Sequence, residues 1–377
     1  MKIGITCYPS LGGSGVVATE LGKLLAERGH QVHFITSGMP FRLGAFHPNI
    51  FYHEVDVNNY DVFKYPPYDL TLANRMAQVA KNENLDLLHV HYAVPHALCA
   101  FLAKQMVGDH LKIVTTLHGT DITVLGYDSN LSDMIRFGIE RSDLVTAVSR
   151  DLIRQTKQLL HVEKEIVPVY NFVDKRRYYP KEVSALKKKF APNGEKILMH
   201  ISNFRPVKRV PDVIRIFAKV RKEVASRLIL IGEGPEMGLV RNMIAELDLT
   251  QDVCFLGKQD DVAEVLSLAD VMLLPSAKES FGLVALEAMA CGVPAVTSDA
   301  GGLPEVVLDG VCGFLRPIGD VDGMAEAAIR LLKDEELYRI HSRKGIERSN
   351  DTFCHEKIAS QYEALYEQLL GVSHQQN

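Results

Sequence analysis

The stretch Glu279-Ser-Phe-Gly-Leu-Val-Ala-Leu-Glu287 decides how this chain is read. Two carboxylates stand eight residues apart, and a Ser-Phe-Gly turn between them opens a helix. The apolar run Asp270-Val-Met-Leu-Leu-Pro275 comes before it and predicts a buried parallel strand. The local order is strand, loop, Glu, tight turn, helix. The backbone N–H groups of Phe281, Gly282 and Leu283 are expected at the helix N-terminus, where roughly half an elementary positive charge favours a phosphate. Glu279 is expected just outside that end, and Glu287 about two turns inside on the same face. A phosphate cradle flanked by two carboxylates that accept from hydroxyls suits a nucleotide-sugar, one carboxylate for the sugar and one for ribose. The structural alternative is an ordinary helix whose first-turn Glu favours the dipole, and spacing alone leaves both open.

Working outward, strands and helices alternate along the chain. Strands are expected at Ile3–Cys7, Val32–Thr36, Phe51–Val57, Asp86–His91, Leu111–Leu117 and Leu144–Val148. Helices are expected at Gly15–Arg28, Tyr68–Glu83, Pro95–Met106, Leu131–Arg141 and Arg150–Leu160, the last capped by Ser149. The rhythm breaks between Ile166 and the charged helix ending in Lys187-Lys-Lys189, then restarts at Lys196–Ser202. A helix Phe281–Cys291 and a tail helix Phe353–Leu370 are expected further on. This is an α/β chain of two Rossmann-like, doubly wound domains facing across a cleft. The expected division is residues 1–168, residues 169–352, and a C-terminal helix and tail, 353–377, returning to the first domain.

Composition narrows the function classes. The 377 residues carry a net charge of −5, so no strongly basic surface argues for nucleic acid, while a local basic site is compatible with it. Lys2-Ile-Gly-Ile-Thr-Cys7 reads as a strand leading to glycines and lacks the apolar core of a signal peptide. Apolar runs stay short of the roughly 18 residues of a membrane span. The 6 cysteines form no C-x-x-C pair and suit buried thiols in a reducing cytoplasm.

Several loops at expected strand ends carry chemistry. Gly12-Gly-Ser-Gly15 lets backbone approach an anion, but it lacks the spacing of a dinucleotide fingerprint. Thr36-Ser37-Gly38 stands where that fingerprint expects an acid, which disfavours NAD. Arg205, Lys208 and Arg209 put three cations into Asn203-Phe-Arg-Pro-Val-Lys-Arg209, placed to offset leaving-group charge; a solvated basic loop is the alternative. Gly232-Glu-Gly-Pro-Glu236 and Gly301-Gly-Leu-Pro-Glu305 are further strand-to-helix glycine turns. His118, in His118-Gly-Thr-Asp121, is expected at a strand edge with the Thr120 hydroxyl near it. His89 and His91 are read as alternating, with one of the pair on any given side. Asp320-Val-Asp322 is more simply a helix cap than a metal motif, so no metal site is expected.

Together these segments resemble the retaining glycosyltransferases of family 4, with two Rossmann-like domains in the B-type arrangement. The resemblance covers almost the whole chain, and its most specific motif is E-x7-E at Glu279 and Glu287. It implies a UDP- or GDP-sugar bound mainly by the C-terminal domain, an acceptor bound mainly by the N-terminal one, and no metal or other cofactor. It implies catalytic roles for His118, Arg205, Lys208 and Glu279. Gly13, Ser14, Asn203, Gln259, Phe281, Gly282, Leu283 and Glu287 would bind the nucleotide-sugar. One departure stands out: the family usually has Arg five residues before the phosphate-loop Lys, and here that place holds Asn203. Either Arg205 takes over the lost charge or Asn203 makes the contact as an amide.

The finer resemblance is to transferases that join N-acetylglucosamine to L-malate, the first step toward bacillithiol. It rests on Cys7–Gly15, His89–His96, Thr116–Thr123 and His200–Arg205. It implies UDP-N-acetylglucosamine and L-malate as substrates, with Ser14, Tyr92, Thr120 and Arg136 near the acceptor. A cytoplasmic enzyme without stable membrane association is expected, and a homo-oligomer is compatible. The alternatives are a related transferase acting on a lipid or cell-wall acceptor, and a non-catalytic nucleotide-sugar sensor.

Overall fold

The computed structural model describes residues 1–9, 13–44, 46–58 and 61–371. Gly12, expected in the first glycine turn, lies outside the described residues. The chain divides into two compact units, 1–171 with 355–377, and 172–354.

The first unit runs β1 (Lys2–Thr6), α1 (Gly13–Glu27), β2 (Gln31–Thr36), β3 (Ile50–Glu54), α2 (Tyr68–Glu83), β4 (Leu87–His91), α3 (Leu98–Val107), β5 (Lys112–Leu117), α4 (Thr120–Thr123), α5 (Ser132–Arg141), β6 (Leu144–Ala147), α6 (Arg150–Leu160) and β7 (Ile166–Pro168). Its seven strands pair in the order β3-β2-β1-β4-β5-β6-β7. Every recorded pairing is parallel, as βαβ crossovers require. Such strands are covered on both faces, which explains why β4 is buried at every position. Leu72 and Met76 of α2 and Ala100 and Ala103 of α3 pack over Leu88, Val90 and Ile113 on one face.

The second unit runs α7 (Ser184–Phe190), β8 (Lys196–Ile201), α8 (Val210–Glu223), β9 (Ser226–Ile231), α9 (Met237–Glu246), β10 (Val253–Gly257), α10 (Ala263–Leu266), β11 (Val271–Leu274), α11 (Leu283–Ala290), β12 (Ala295–Ser298), α12 (Leu303–Val306), β13 (Gly313–Arg316), α13 (Val321–Lys333) and α14 (Glu335–Thr352). Its sheet order is β10-β9-β8-β11-β12-β13, again with every recorded pairing parallel. Val213 and Phe217 of α8 and Ala328 and Leu331 of α13 close over Leu198, Leu230 and Leu273. Asp320 caps α13 by accepting from the Gly323 amide at 2.8 Å, which is the structural role expected of it.

The last helix, α15 (His355–Leu370), belongs to the first unit and packs on α1. The expected single start at Phe353 is corrected. α14 stops at Thr352, Phe353 and Cys354 leave the helix, and α15 begins at His355.

In each sheet the strand order reverses once, between β1 and β4 and between β8 and β11. Loops leaving the carboxyl ends on either side of such a point diverge and leave a crevice, the usual ligand position in open α/β sheets.

Candidate functional site

In the second unit the crevice lies between the loops that follow β8 and β11. The first carries Asn203, Arg205 and Lys208; the second carries Glu279. Lys208 Nζ stands 2.6 Å from Glu279 Oε2, so the structure brings two of the expected residues into direct contact. Arg205 and Asn203 are exposed beside them, and the Arg205 side chain has no hydrogen-bond or ion-pair partner among the described residues. Arg209 is different. Its Nε donates to the buried carboxylate of Asp212 at 2.6 Å. That cation is spent within its own helix start, and the basic loop offers two cations rather than three.

Two features hold these loops in place. His200, fully buried at the end of β8, donates from Nδ1 to the Leu273 carbonyl of β11 at 2.8 Å. Burial pushes its pKa down to about 4, so the ring is neutral and Nε2 accepts from the Ser202 hydroxyl at 2.8 Å. The same hydroxyl accepts from the Phe204 amide at 3.2 Å. Sequence reasoning gave His200 no role; its place on an otherwise apolar strand was the available signal. The second feature is close backbone packing. A Cβ on Gly234 would collide with the Asn203 carbonyl, and one on Gly302 would meet the backbone of Ser280 and Phe281. The two glycine turns therefore act as backing for the site loops.

α11 differs from expectation in one respect. Gly282, with φ of 98°, is the cap, and the helix starts at Leu283. Glu287 thus lies about one turn inside α11, not two. It is the left-handed turn at Gly282, and not helical periodicity alone, that relates it to Glu279. Phe281 sits before the cap with its ring buried edge-on against Phe353, centroids 5.6 Å apart. The first amides of α11 have no helical carbonyl to bond and form a positive end. Glu287 is buried, 7% exposed. Gln259 is exposed after β10, and its side-chain amide donates to the Leu256 carbonyl at 2.6 Å.

In the first unit the crevice lies between the ends of β1 and β4. Gly13 opens α1, and the hydroxyl of Ser14 meets that of Tyr92, just after β4, at 2.8 Å. Tyr92 has φ of 88°, a conformation that costs a non-glycine residue about 1–3 kcal/mol and clusters at functional sites. The Tyr92 ring stands 5.5 Å from that of His118. His118 Nε2 bonds His91 Nδ1 at 2.7 Å. The expectation that His89 and His91 face different sides is corrected. Residues two apart on a strand share a face, and the two buried rings stack with centroids 4.5 Å apart.

Asp121 is fully buried and ties the two loops together, accepting from the Ala93 amide at 3.1 Å and the Gly119 amide at 3.0 Å. Burial raises its pKa to about 6 in spite of those donors. It braces Tyr92 and His118 at once, a role its position in the sequence did not reveal. Thr120 is exposed at the start of α4. Arg136 is exposed on α5, where it lines a hollow of about 460 Å³ with Asp133, Phe137, Glu140 and Arg141. No recorded contact joins Arg136 to Ser14 or Tyr92. Among the described residues no helix is long and apolar enough to cross a membrane.

Comparisons with known proteins agree with this architecture. The family pattern described as Glycosyltransferase Family 4 matches residues 11–177, and that of Glycosyl transferases group 1 matches residues 183–348. The N-acetyl-alpha-D-glucosaminyl L-malate synthase of Bacillus anthracis is 59% identical over 371 residues, 98% of this chain and 97% of that one. The D-inositol 3-phosphate glycosyltransferase of Thermobispora bispora is 27% identical over 358 residues, 86% of this chain and 82% of that one. Among solved structures, the sucrose-phosphate synthase of Thermosynechococcus elongatus superposes with a TM-score of 0.81 at 22% identity, over 99% of this chain and 100% of the other. Anabaena Alr3699/HepE in complex with UDP-glucose gives 0.81 at 22%, over 98% and 100%. Those two likenesses speak to the fold, whereas identity at the level of the Bacillus protein, sustained through both units, speaks to descent: this chain belongs to glycosyltransferase family 4.

Proposed function

We propose that this chain transfers N-acetylglucosamine from UDP-N-acetylglucosamine to the hydroxyl of L-malate with retention at the anomeric carbon, the first step toward bacillithiol. The observation that carries this reading is the 59% identity to a synthase of that product across nearly the whole of both chains. The second unit would hold the donor. Glu287 accepts from ribose hydroxyls, Glu279 from sugar hydroxyls, and Gln259 borders the uracil. The diphosphate meets the Gly282 and Leu283 amides, with Lys208 and Arg205 opposite and Asn203 beside them. Charge that develops on the leaving phosphate is then met by fixed donors already in place. The first unit would hold the acceptor. Ser14, Tyr92 and Thr120 offer hydroxyls, and Arg136 is the cation proposed for a carboxylate.

In the transfer, the bond from the anomeric carbon to the phosphate oxygen breaks and its electrons stay with UDP. The malate hydroxyl oxygen bonds to the same face, and its proton passes to the departing phosphate. No protein base and no metal is needed in this scheme, because Lys208, Arg205 and the α11 end supply the positive charge.

Turnover against an acceptor panel tests the reading. Purified protein with UDP-N-acetylglucosamine is expected to release UDP and form the glycoside with L-malate, and to leave lipid and cell-wall acceptors unused. UDP release with a lipid acceptor alone would reassign the acceptor. Binding of UDP-sugar without turnover on any acceptor would make the chain a sensor.

A further inference from the structure

His91 is assigned no role by the reading above, yet it controls what His118 can do. It ends β4, one strand over from β5, after which His118 follows directly. The rings lie 5.0 Å apart at 28°, and His91 Nδ1 meets His118 Nε2 at 2.7 Å. A short contact between two neutral imidazole nitrogens needs one proton between them, so one ring donates and the other accepts. Both rings are held neutral by burial. The remaining question is which nitrogen carries the proton.

The surroundings of His91 answer it. Its Nε2 is buried and has no hydrogen-bond partner among the described residues. A proton on Nε2 would strand an N–H donor in the interior, the rarest kind of buried unpaired group. With the proton on Nδ1, His91 donates to His118 and leaves only a bare lone pair at Nε2. Turning the ring over would put Cδ2 in the place of Nδ1 and lose the bond to His118. The ring is stacked on His89, and the His91 carbonyl accepts from His96 Nδ1 at 2.5 Å, which fixes the backbone at that point. His118 Nε2 is then an acceptor. Being neutral, His118 carries its own proton on Nδ1, the ring nitrogen it keeps for a ligand.

We infer that His91 is a positioning residue that holds His118 as the Nδ1–H tautomer. His118 thereby becomes a fixed hydrogen-bond donor to an oxygen of the bound sugar or acceptor, and not a proton-accepting base. The inference rests on the catalytic role that the family resemblance implies for His118, but the tautomer itself can be read without any turnover.

The test has two arms. In the first, full-length protein labelled with ¹⁵N-histidine is examined by long-range ¹H–¹⁵N correlation near pH 7.5, with His118 assigned by loss of its signals in His118→Gln. Nδ1 protonated and Nε2 bare is the expected pattern; a proton on Nε2 of His118 overturns the inference whether or not the chain acts on malate. In the second arm, His91→Asn puts an amide N–H near the former Nδ1, and His91→Leu removes the donor. The Asn variant is expected to keep the His118 tautomer and a kcat within about threefold. The Leu variant is expected to lose roughly ten- to hundredfold in kcat, the range for one misdirected hydrogen bond, with KM for the UDP-sugar changed less. A folded Leu variant with unchanged kcat, or equal losses in both variants, would overturn the positioning role. If the Leu variant fails to fold, the tautomer in the parent and in the Asn variant still decides.

Discussion

Lys208 and Glu279, 71 residues apart in sequence, meet at 2.6 Å between the two strand ends where the second sheet reverses its order. Each side chain is about one-fifth exposed, so the pair is neither a solvated surface bridge nor a sealed internal one. In the proposed donor site the Lys208 ammonium stands opposite the leaving diphosphate. Lys208→Ala is expected to lower kcat by roughly 10²–10³, the range for one lost preorganised donor. Steady-state kinetics on the folded variant is the check, and activity within about threefold of the parent would remove Lys208 from this role.

The two carboxylates of the E-x7-E motif sit differently, Glu287 buried inside α11 and Glu279 partly exposed before its cap. That difference underlies a proposed division of labour. Glu287→Gln is expected to weaken UDP itself. Glu279→Gln is expected to weaken the UDP-sugar and its turnover while leaving UDP affinity nearly intact. Calorimetric titration of both variants with UDP separates the roles, and equal losses would contradict the division.

How far could the sequence alone carry this? The βαβ rhythm is written in apolar runs, because strands covered on both faces are built mostly of apolar residues. The Lys208 and Glu279 loops were therefore legible as strand ends. The start of α11 was not, since a left-handed Gly282 moves the first helical residue by two positions without changing the pattern. α14 leaves no apolar period in the sequence, because its buried face is His341, Gly345 and Ser349, a ridge of small and polar residues four apart. β13 is four residues long at a sheet edge, below what alternation can register. The braces His200 and Asp121 act through partners on other strands, and a linear reading does not show those partners.

The proposed chemistry places Lys208, Arg205 and the α11 amides where a divalent cation would otherwise neutralise the diphosphate. Activity is expected to survive excess EDTA and to gain little from added Mg²⁺ or Mn²⁺. Complete loss in EDTA with recovery on adding metal would show that these groups do not suffice.

Buried imidazoles give the first unit a pH signature. Burial pushes His89 to about 3 and His96 to about 4, and holds His91 well below the ordinary value. An unfolded histidine titrates near 6.5, so below that pH the unfolded chain binds protons that the native one refuses. Stability falls as pH falls from about 6.5 toward 4, at about 1.4 kcal/mol per pH unit for each such ring. Asp121, raised to about 6, acts with the opposite sign, contributing fully below about 4 and losing its effect as pH rises through 6. One carboxyl does not offset three imidazoles. Scanning calorimetry is expected to show an earlier first transition at pH 5 than at pH 7.5. An unchanged or later transition would mean that these rings are not held neutral in the fold.

Tyr366 joins α15 to the same buried network. Its hydroxyl meets His89 Nδ1 at 2.7 Å, while His89 Nε2 bonds the Thr116 hydroxyl at 2.7 Å. Both side chains are fully buried. Tyr362 of the same helix adds a buried contact, its hydroxyl 3.3 Å from that of Thr116, while two further ties of α15 lie nearer the surface. Arg28 bonds the Ser360 hydroxyl at 2.8 Å, and His30 Nε2 meets Glu363 at 2.9 Å. A fully exposed ion pair is worth only roughly 0–1 kcal/mol, and these contacts are partly exposed. A buried donor or acceptor left without its partner costs about 1–3 kcal/mol. Tyr366→Phe keeps the ring and removes only the hydroxyl, so it isolates that term. The substitution is expected to lower the urea midpoint of the first unit more than Glu363→Ala does. The reverse order would place the anchor of α15 on its exposed side, with the His89 contact incidental to it.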